Sequence, residues 1–198
     1  MAQSGFYREM ELSAPALGFI ELSSISRGLY LTDAVLKKAP IDVIVSQPIS
    51  SGKHVLLFTG DVASVEEAHR EAVENSAGTV VKQILIPGVH EQLIPFLDSI
   101  WKQDAHIKPA GESVGIVESL TLSGAILAAD YALKAAAVWL CRMRLGQGIG
   151  GKAYFVLSGK QEDVEAALDA ARDCLGKLES LLRVDLIPRP QEDALSYF

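Results

Sequence analysis

The chain has 198 residues, of which 49% are hydrophobic and 22% are charged, and its formal net charge is −7. That composition predicts a folded core, in one large domain or in two of roughly 100 residues each. The negative balance argues against a general nucleic-acid binder and against docking on an anionic membrane, because both normally require a basic face. No apolar run approaches the roughly 18 residues of a membrane helix. Met1 to Ser13 contain no apolar signal core, so we expect a cytoplasmic protein.

The first half alternates strand and helix patterns. Pro40 predicts the end of the first helix, because the residue before a proline is pushed out of helical space. Ser64 and Glu67 have the spacing of a capping box, which predicts the start of the second helix, and Gly78 predicts its end after Ala77. The predicted elements are a strand at 16–22, a helix at about 25–38, a strand at 41–45, a loop at 50–52, a strand through Phe58, a helix to Ala77, a strand at 79–86 and a short helix at 90–97.

The second half repeats the first half in the same order. The spacing between matched residues grows only from 97 to 101 positions along the chain, as small insertions would produce. The matched pairs include Gly18 and Gly115, Lys37 and Lys134, Lys53 and Lys152, and Pro87 and Pro188. We therefore predict a tandem duplication in the α/β (α+β) class, each copy with the ferredoxin-like order β-α-β-β-α-β. The predicted domains are 16–102 and 113–198, joined by a polar, turn-rich linker at 103–112.

Each copy contains a small, flexible loop that ends in a lysine. The first is Ser50, Ser51 and Gly52 before Lys53, and the second is Gly148, Ile149, Gly150 and Gly151 before Lys152. Phosphate-binding loops place their glycines between a strand and the N-terminus of a helix. The second loop is followed by a strand pattern, and no Ser or Thr follows its lysine, which disfavours nucleotide binding. From the residues alone, two interpretations of these loops remain: a tight turn between strands, or a backbone-lined constriction around an axis.

The chain offers no convergent catalytic or metal-binding set. Ser50 and His54 could pair as nucleophile and base, but no acid is in register to orient the imidazole. His90 and His106 have no partners at metal-ligand spacing, and Cys141 and Cys174 are far apart. We therefore predict no enzyme activity, no metal and no cofactor.

Several short motifs, most of them found in both halves, resemble those of bacterial microcompartment shell proteins. They are Gly18 to Glu21, Asp33 to Lys37, Ser51 to Lys53, Gly60 to Val65, and Ile187 to Pro190. The ordered set is similar to the tandem-domain, trimer-forming class of this family and covers nearly everything from Ala16 to Pro190. The strand order is unpermuted in both halves, as in the propanediol-utilisation-type subclass, whose members have a central iron–sulfur site.

The resemblance implies a homotrimer that forms a pseudohexameric tile with a small central pore for polar metabolites. Such tiles pack edge to edge with hexameric and pentameric shell tiles around encapsulated enzymes, so the expected location is a microcompartment shell in the cytoplasm. No nucleic-acid or membrane partner is expected. The implied pore residues are Ser50, Ser51, Gly52, Gly148, Ile149, Gly150 and Gly151, and the implied edge residues are Lys37, Lys134 and Arg189.

Two departures from the family pattern matter. The position that matches Ser50 is a cysteine in the iron–sulfur subclass, and a hydroxyl is a poorer cluster ligand than a thiolate, so we predict no cluster. Gly88 stands in the first half where Arg189 stands in the second. Two alternatives remain, a trimeric electron-transfer protein and a ferredoxin-like small-molecule-binding protein. Ser50 argues against the first, and the missing catalytic set argues against an enzymatic form of the second.

Overall fold

The computed structural model describes residues 15–103 and 107–198. The elements of the first half are β1 (Ala16–Leu22), α1 (Ile25–Lys38), β2 (Asp42–Ile49), β3 (Lys53–Gly60), α2 (Val62–Glu74), β4 (Val80–Ile86) and α3 (Leu93–Gln103). Those of the second half are β5 (Ser113–Ser119), α4 (Leu122–Ala135), β6 (Trp139–Leu145), β7 (Ala153–Gly159), α5 (Gln161–Lys177) and β8 (Leu181–Pro188), followed by a short 3-10 helix at Glu192–Tyr197.

Each half folds as an antiparallel four-stranded sheet with two helices packed against it. The strand orders are β2-β3-β1-β4 and β6-β7-β5-β8, so the first strand of each copy pairs with the third and the fourth. Helices α1 and α2 pack together in the first half, as α4 and α5 do in the second. This arrangement confirms the predicted fold class, a tandem duplication of a β-α-β-β-α-β unit.

Most element boundaries follow the sequence patterns, and the exceptions have local causes. Strand β2 continues past Val45 to Ile49, although it contains Pro48. It lies at the edge of its sheet, where the missing proline N–H removes no hydrogen bond from the centre. Helix α3 begins at Leu93 rather than at His90 and continues to Gln103.

The capping-box prediction for α2 is wrong. The helix begins at Val62, and its N-cap is Asp61, which accepts hydrogen bonds from the Ser64 amide at 3.0 Å and from the Ser64 hydroxyl at 2.6 Å. Ser64 therefore lies in the first turn and donates to the cap instead of being the cap. These bonds also hold the pKa of Asp61 below its usual value. The helix ends at Glu74, where the Asn75 side-chain amide donates to the Glu71 carbonyl, rather than at Ala77.

The two halves share a core. The largest cluster of buried apolar side chains includes Phe19 and Leu57 of the first sheet together with Leu122 and Phe155 of the second half. Helix α4 contacts β4, and helix α3 contacts both β2 and β6. The junction between the halves is therefore continuous with the hydrophobic core. Within the described residues, no helix combines the length and apolar character needed to span a membrane.

Candidate functional site: the two loops and the junction between the halves

The first loop is a single 3-10 turn between β2 and β3. It spans Ser50–Gly52, and Ser51 and Gly52 both adopt left-handed backbone angles, with φ of 67° and 70°. Both residues are exposed, and a Cβ added at Gly52 would meet no atom within 4 Å. Among the residues that the structure describes, nothing covers Gly52 at the tip of this loop, so the tip is available to another molecule.

The second loop is a glycine turn between β6 and β7. The Gly146 amide donates to the Lys152 carbonyl at 2.9 Å and closes the turn. Gly148, Gly150 and Gly151 have φ of 72°, 67° and 78°, in the region where any other residue type is strained. A Cβ at any of these three would meet nothing within 4 Å, so the glycines are required by backbone conformation and not by crowding.

The bases of the two loops meet across the junction. Ile49, at the end of β2, has its Cδ1 atom 3.5 Å from the point where a Cβ of Gly146 would lie. Ile49 and Gly146 are separated by 97 positions and precede equivalent loops, so equivalent parts of the two copies face each other here. The structure thus brings the two predicted pore loops side by side.

The lysines that end the two loops differ in their surroundings. Lys53 donates to Glu21 across 2.7 Å, and the Glu21 side chain is only 3% exposed. Lys152 is exposed and makes no ion pair with any described residue. The charge beside the first loop is therefore neutralised by a buried carboxylate, which sequence analysis did not identify.

His54 lies behind the first loop and is fully buried. Its Nε2 atom is 3.0 Å from the Ser46 hydroxyl, which is in turn 2.7 Å from the Thr32 hydroxyl. Thr32 donates to the Gly28 carbonyl at 2.8 Å. Burial lowers the pKa of His54 and keeps the imidazole neutral. A ring buried in this chain has no access to substrate, so the geometry disfavours a Ser50–His54 catalytic pair.

The junction between the halves is held by two polar side chains as well as by apolar packing. Asp130 on α4 accepts a hydrogen bond from the His90 amide at 2.8 Å, and its other oxygen pairs with Lys134 at 2.5 Å. The Gln92 side chain donates to the Val138 carbonyl at 3.0 Å and accepts from the Leu140 amide at 3.1 Å. The segment after β4 in the first half is therefore bound to α4 and β6 of the second.

The equivalent face of the first half has no such cover. On α4, Leu122, Ile126 and Leu133 are 0%, 0% and 4% exposed, because they pack at the junction. The equivalent residues of α1, at positions 97 earlier, are 36%, 57% and 51% exposed. They are Ile25, Leu29 and Leu36. The same helix face is thus core in one copy and surface in the other.

The family model described as "BMC domain" matches residues 16–89 and 113–190. The chain belongs to this family. The bacterial microcompartment shell protein PduT of Citrobacter freundii is 35% identical over 177 residues, which cover 89% of this chain and 94% of PduT. The carboxysome assembly protein CcmO of Synechocystis is 24% identical over 195 residues, which cover 91% of this chain and 63% of CcmO.

Solved structures give the same result. A crystal structure of a microcompartment protein from Desulfitobacterium hafniense superposes with a TM-score of 0.84 at 31% identity. The superposition covers 94% of this chain and 100% of that chain. The fused permuted hexameric shell protein MSM0275 from the RMM microcompartment superposes with a TM-score of 0.62 at 28% identity, covering 83% and 85% of the two chains. This chain is therefore a structural shell protein of a bacterial microcompartment, and its location is the shell.

In this BMC-domain protein the predicted edge residues lie on three separate elements. Lys37 lies in the last turn of α1 and pairs with Asp33 at 2.5 Å, while Lys134 lies in the last turn of α4 and pairs with Asp130. Arg189 follows β8, is exposed, and has φ of 46°. No contact within the described residues joins Lys37, Lys134 and Arg189 to one another. Their edge role remains a prediction.

The residues of this BMC-domain protein do not fit an iron–sulfur cluster at the loops. Ser50 offers a hydroxyl, and the two cysteines are buried on β6 and α5, with Cys141 within the sheet cluster of the second half. Burial raises the pKa of Cys141 to about 11 and also raises that of Cys174, which disfavours the thiolate that binds iron. No group of three or more candidate ligands lies together within the described residues, and His106 lies outside them.

Sequence analysis missed Asp130 of the junction and its counterpart Asp33 on α1. It weighed Lys37 and Lys134 as contact residues but not Asp33 and Asp130, although each aspartate lies four residues before its lysine in both copies. That repeated i, i+4 pair was the available signal. The i, i+4 spacing does not predict that Asp130 accepts the His90 amide, since that contact joins residues 40 positions apart.

Proposed function

We propose that three copies of this shell protein close head to tail into a homotrimeric, pseudohexameric tile with a central pore. The observation that supports this best is the unequal exposure of α1 and α4. The junction within the chain is heterologous, since it joins the β4 side of one copy to the helix side of the other. The chain still offers one unused surface of each kind, and a heterologous contact that closes produces a ring.

The proposed pore is formed by the loops Ser50–Gly52 and 148–151, repeated three times around the axis. Ile49 at the base of the first loop already lies beside Gly146 at the base of the second within one chain, so six loops in a ring would alternate around one opening. Serine hydroxyls, backbone amides and glycines would line it, and Glu21 would neutralise the nearby Lys53 charge. Such a lining would pass small polar metabolites by diffusion and select them by size and hydrogen bonding.

The proposed edges carry Lys37, Lys134 and Arg189, which would meet neighbouring hexameric and pentameric shell tiles. Lys37 and Lys134 lie in the last turns of equivalent helices, so they would point to equivalent edges of a pseudohexamer. Arg189 has Gly88 as its counterpart, so alternate edges would differ in charge. In this role the protein has no catalytic activity of its own and contacts encapsulated enzymes only indirectly.

The first experiment is the mass of the purified protein by light scattering, with negative-stain images of concentrated samples. A mass near three chains together with flat arrays supports the tile. A monomer at every concentration that never forms arrays overturns the ring, the pore and the edges together.

The pore assignment has its own test. Ser50→Leu should reduce metabolite flux through assembled shells while leaving the mass of the tile unchanged. Ala63→Leu adds a similar side chain on the exposed surface of α2 and should leave flux unchanged. Equal flux in wild type and Ser50→Leu shells would show that this loop does not line the pore.

A further inference from the structure

We infer that the junction between neighbouring copies uses the same contacts as the junction within the chain except for one hydrogen bond, which Asp193 cannot make, and that this makes it the weaker of the two. The partner is a second copy of this chain. This inference rests on the proposed homotrimer and adds to it the residues that close the ring. It also predicts a substitution that should strengthen the assembly.

The donating side of each junction follows the last strand of a copy. Leu17 pairs with Ile86 as Val114 pairs with Ile187, which aligns β4 with β8 at a spacing of 101 positions. The turn that follows contains the same hydrogen bond in both. The Leu93 amide donates to the His90 carbonyl at 2.9 Å, and at the equivalent place the Ala194 amide donates to the Gln191 carbonyl at 3.0 Å. Gln191 is therefore the counterpart of His90, and Asp193 is the counterpart of Gln92.

The receiving side is equally well conserved between the copies. The Val138 amide donates to the Ala136 carbonyl at 2.9 Å, and 97 positions earlier the Ile41 amide donates to the Ala39 carbonyl at 2.9 Å. The segment before β2 thus has the conformation of the segment before β6. Ile41 and Val43 present the carbonyl and the amide that correspond to those of Val138 and Leu140.

Asp33 is the unused acceptor of the ring. Its counterpart Asp130 accepts the His90 amide and has a side chain that is 2% exposed, whereas the Asp33 side chain is 63% exposed and, among the described residues, pairs with Lys37 alone. In the ring, the Gln191 amide of the adjacent copy would donate to Asp33. The exposed apolar face of α1 would be covered at the same time, as the face of α4 already is.

The two junctions differ most at Asp193. Gln92 uses both ends of its amide, donating to Val138 and accepting from Leu140. A carboxylate has acceptors only, so Asp193 could accept from the Val43 amide but would face the Ile41 carbonyl without a hydrogen to offer. It is also one methylene shorter than Gln92. The ring junction therefore lacks one hydrogen bond and sets two oxygens against each other.

The receiving surface is also more polar than its counterpart. Ala129 and Met143 are almost fully buried in the core cluster that the two halves share. Their counterparts are Thr32 and Ser46, whose hydroxyls lie 2.7 Å apart and bond to each other. The ring junction thus buries less apolar surface at this point, which lowers its stability in the same direction as Asp193.

The decisive variant is Asp193→Gln, with Glu192→Gln as its matched control. Both remove one negative charge from the same exposed segment, but only the first restores the side chain of Gln92. One recovered hydrogen bond should tighten each junction about tenfold. A ring has three junctions, so the association constant of three chains should rise about a thousandfold. The chain concentration at which half of the trimer dissociates varies with the inverse square root of that constant, so it should fall about thirtyfold. Light scattering on dilution measures this concentration.

A second pair of variants tests the Asp33 contact. Asp33→Ala should raise the half-dissociation concentration of the trimer, whereas Asp169→Ala, which also breaks an exposed ion pair on a helix, should not. These contacts are refuted if the Asp193→Gln trimer is no tighter than the Glu192→Gln trimer and the Asp33→Ala trimer is no weaker than the wild type. That outcome would leave the proposed ring itself unaffected. A wild-type chain that is monomeric throughout refutes the ring itself.

Discussion

Replacing Asp130 with alanine tests the junction within the chain directly. Asp130 is buried between the two halves and holds both the His90 amide and the Lys134 ammonium. Asp33 makes the equivalent lysine pair on an exposed helix face. The chain therefore contains its own control, the same residue in the same motif with and without a partner domain.

The expected magnitudes follow from these surroundings. Losing a hydrogen bond to a charged acceptor costs about 1.5–3 kcal/mol. The half-exposed Lys134 remains hydrated, so loss of its ion pair adds at most about 1 kcal/mol. Asp130→Ala should therefore lower the free energy of unfolding by about 2–4 kcal/mol. Asp130→Asn keeps an acceptor for His90 and should cost about 1 kcal/mol. Asp33→Ala in the separated chain should cost about 0–1 kcal/mol.

Urea unfolding followed by circular dichroism measures these differences, at a chain concentration where each variant is monomeric by light scattering. With a slope of about 2 kcal/mol per molar urea, Asp130→Ala should shift the midpoint by about 1–2 M. Asp33→Ala should shift it by less than about 0.5 M. Equal shifts for the two alanine variants would show that the Asp130 contact adds nothing to the junction, and the ring contacts inferred from it would then lose their basis.

Two further predictions concern the buried core. Gly28→Ala should destabilise the chain by about 1–3 kcal/mol, because the new Cβ would lie 2.2 Å from the buried His54 ring. Gly176→Ala is the control, since a Cβ there would meet no atom within 4 Å, and it should stabilise helix α5 by about 0.5–1 kcal/mol. Thermal melts of both variants decide this, and a stabilised Gly28→Ala chain would contradict the packing described for His54. Burial lowers the pKa of both His54 and His69. Below about pH 6.5 the unfolded chain therefore binds protons that the folded chain does not. The free energy of unfolding should fall as pH drops from about 6.5 through the lowered pKa values. His69→Gln should flatten the fall in melting temperature over that range, and an unchanged pH profile would show that His69 is not buried in the neutral form.

Local structure was largely predictable from the sequence. Strand β1 and helix α1 begin and end where the patterns predicted, because hydrophobic alternation and helix period depend on neighbouring residues. The positions of the two loops also agree, since small and glycine residues between two strand patterns mark a turn, and glycine permits the positive φ found there. The start of α2 was missed because Ser64 and Asp61 both suit a cap, and only the folded backbone shows which one faces the free amides.

The sequence by itself determined the duplication, the fold of each copy, the glycine turns and, through its ordered motifs, the family. All of these depend on residue types and on spacing along the chain. Only the tertiary structure decided which surfaces are joined. The contacts of Asp130 with His90, and of Gln92 with Val138 and Leu140, link residues 40, 46 and 48 positions apart. Equivalent residues in the two copies have the same local pattern but different neighbours, so burial separates Asp130 from Asp33 and Leu133 from Leu36 where local sequence cannot.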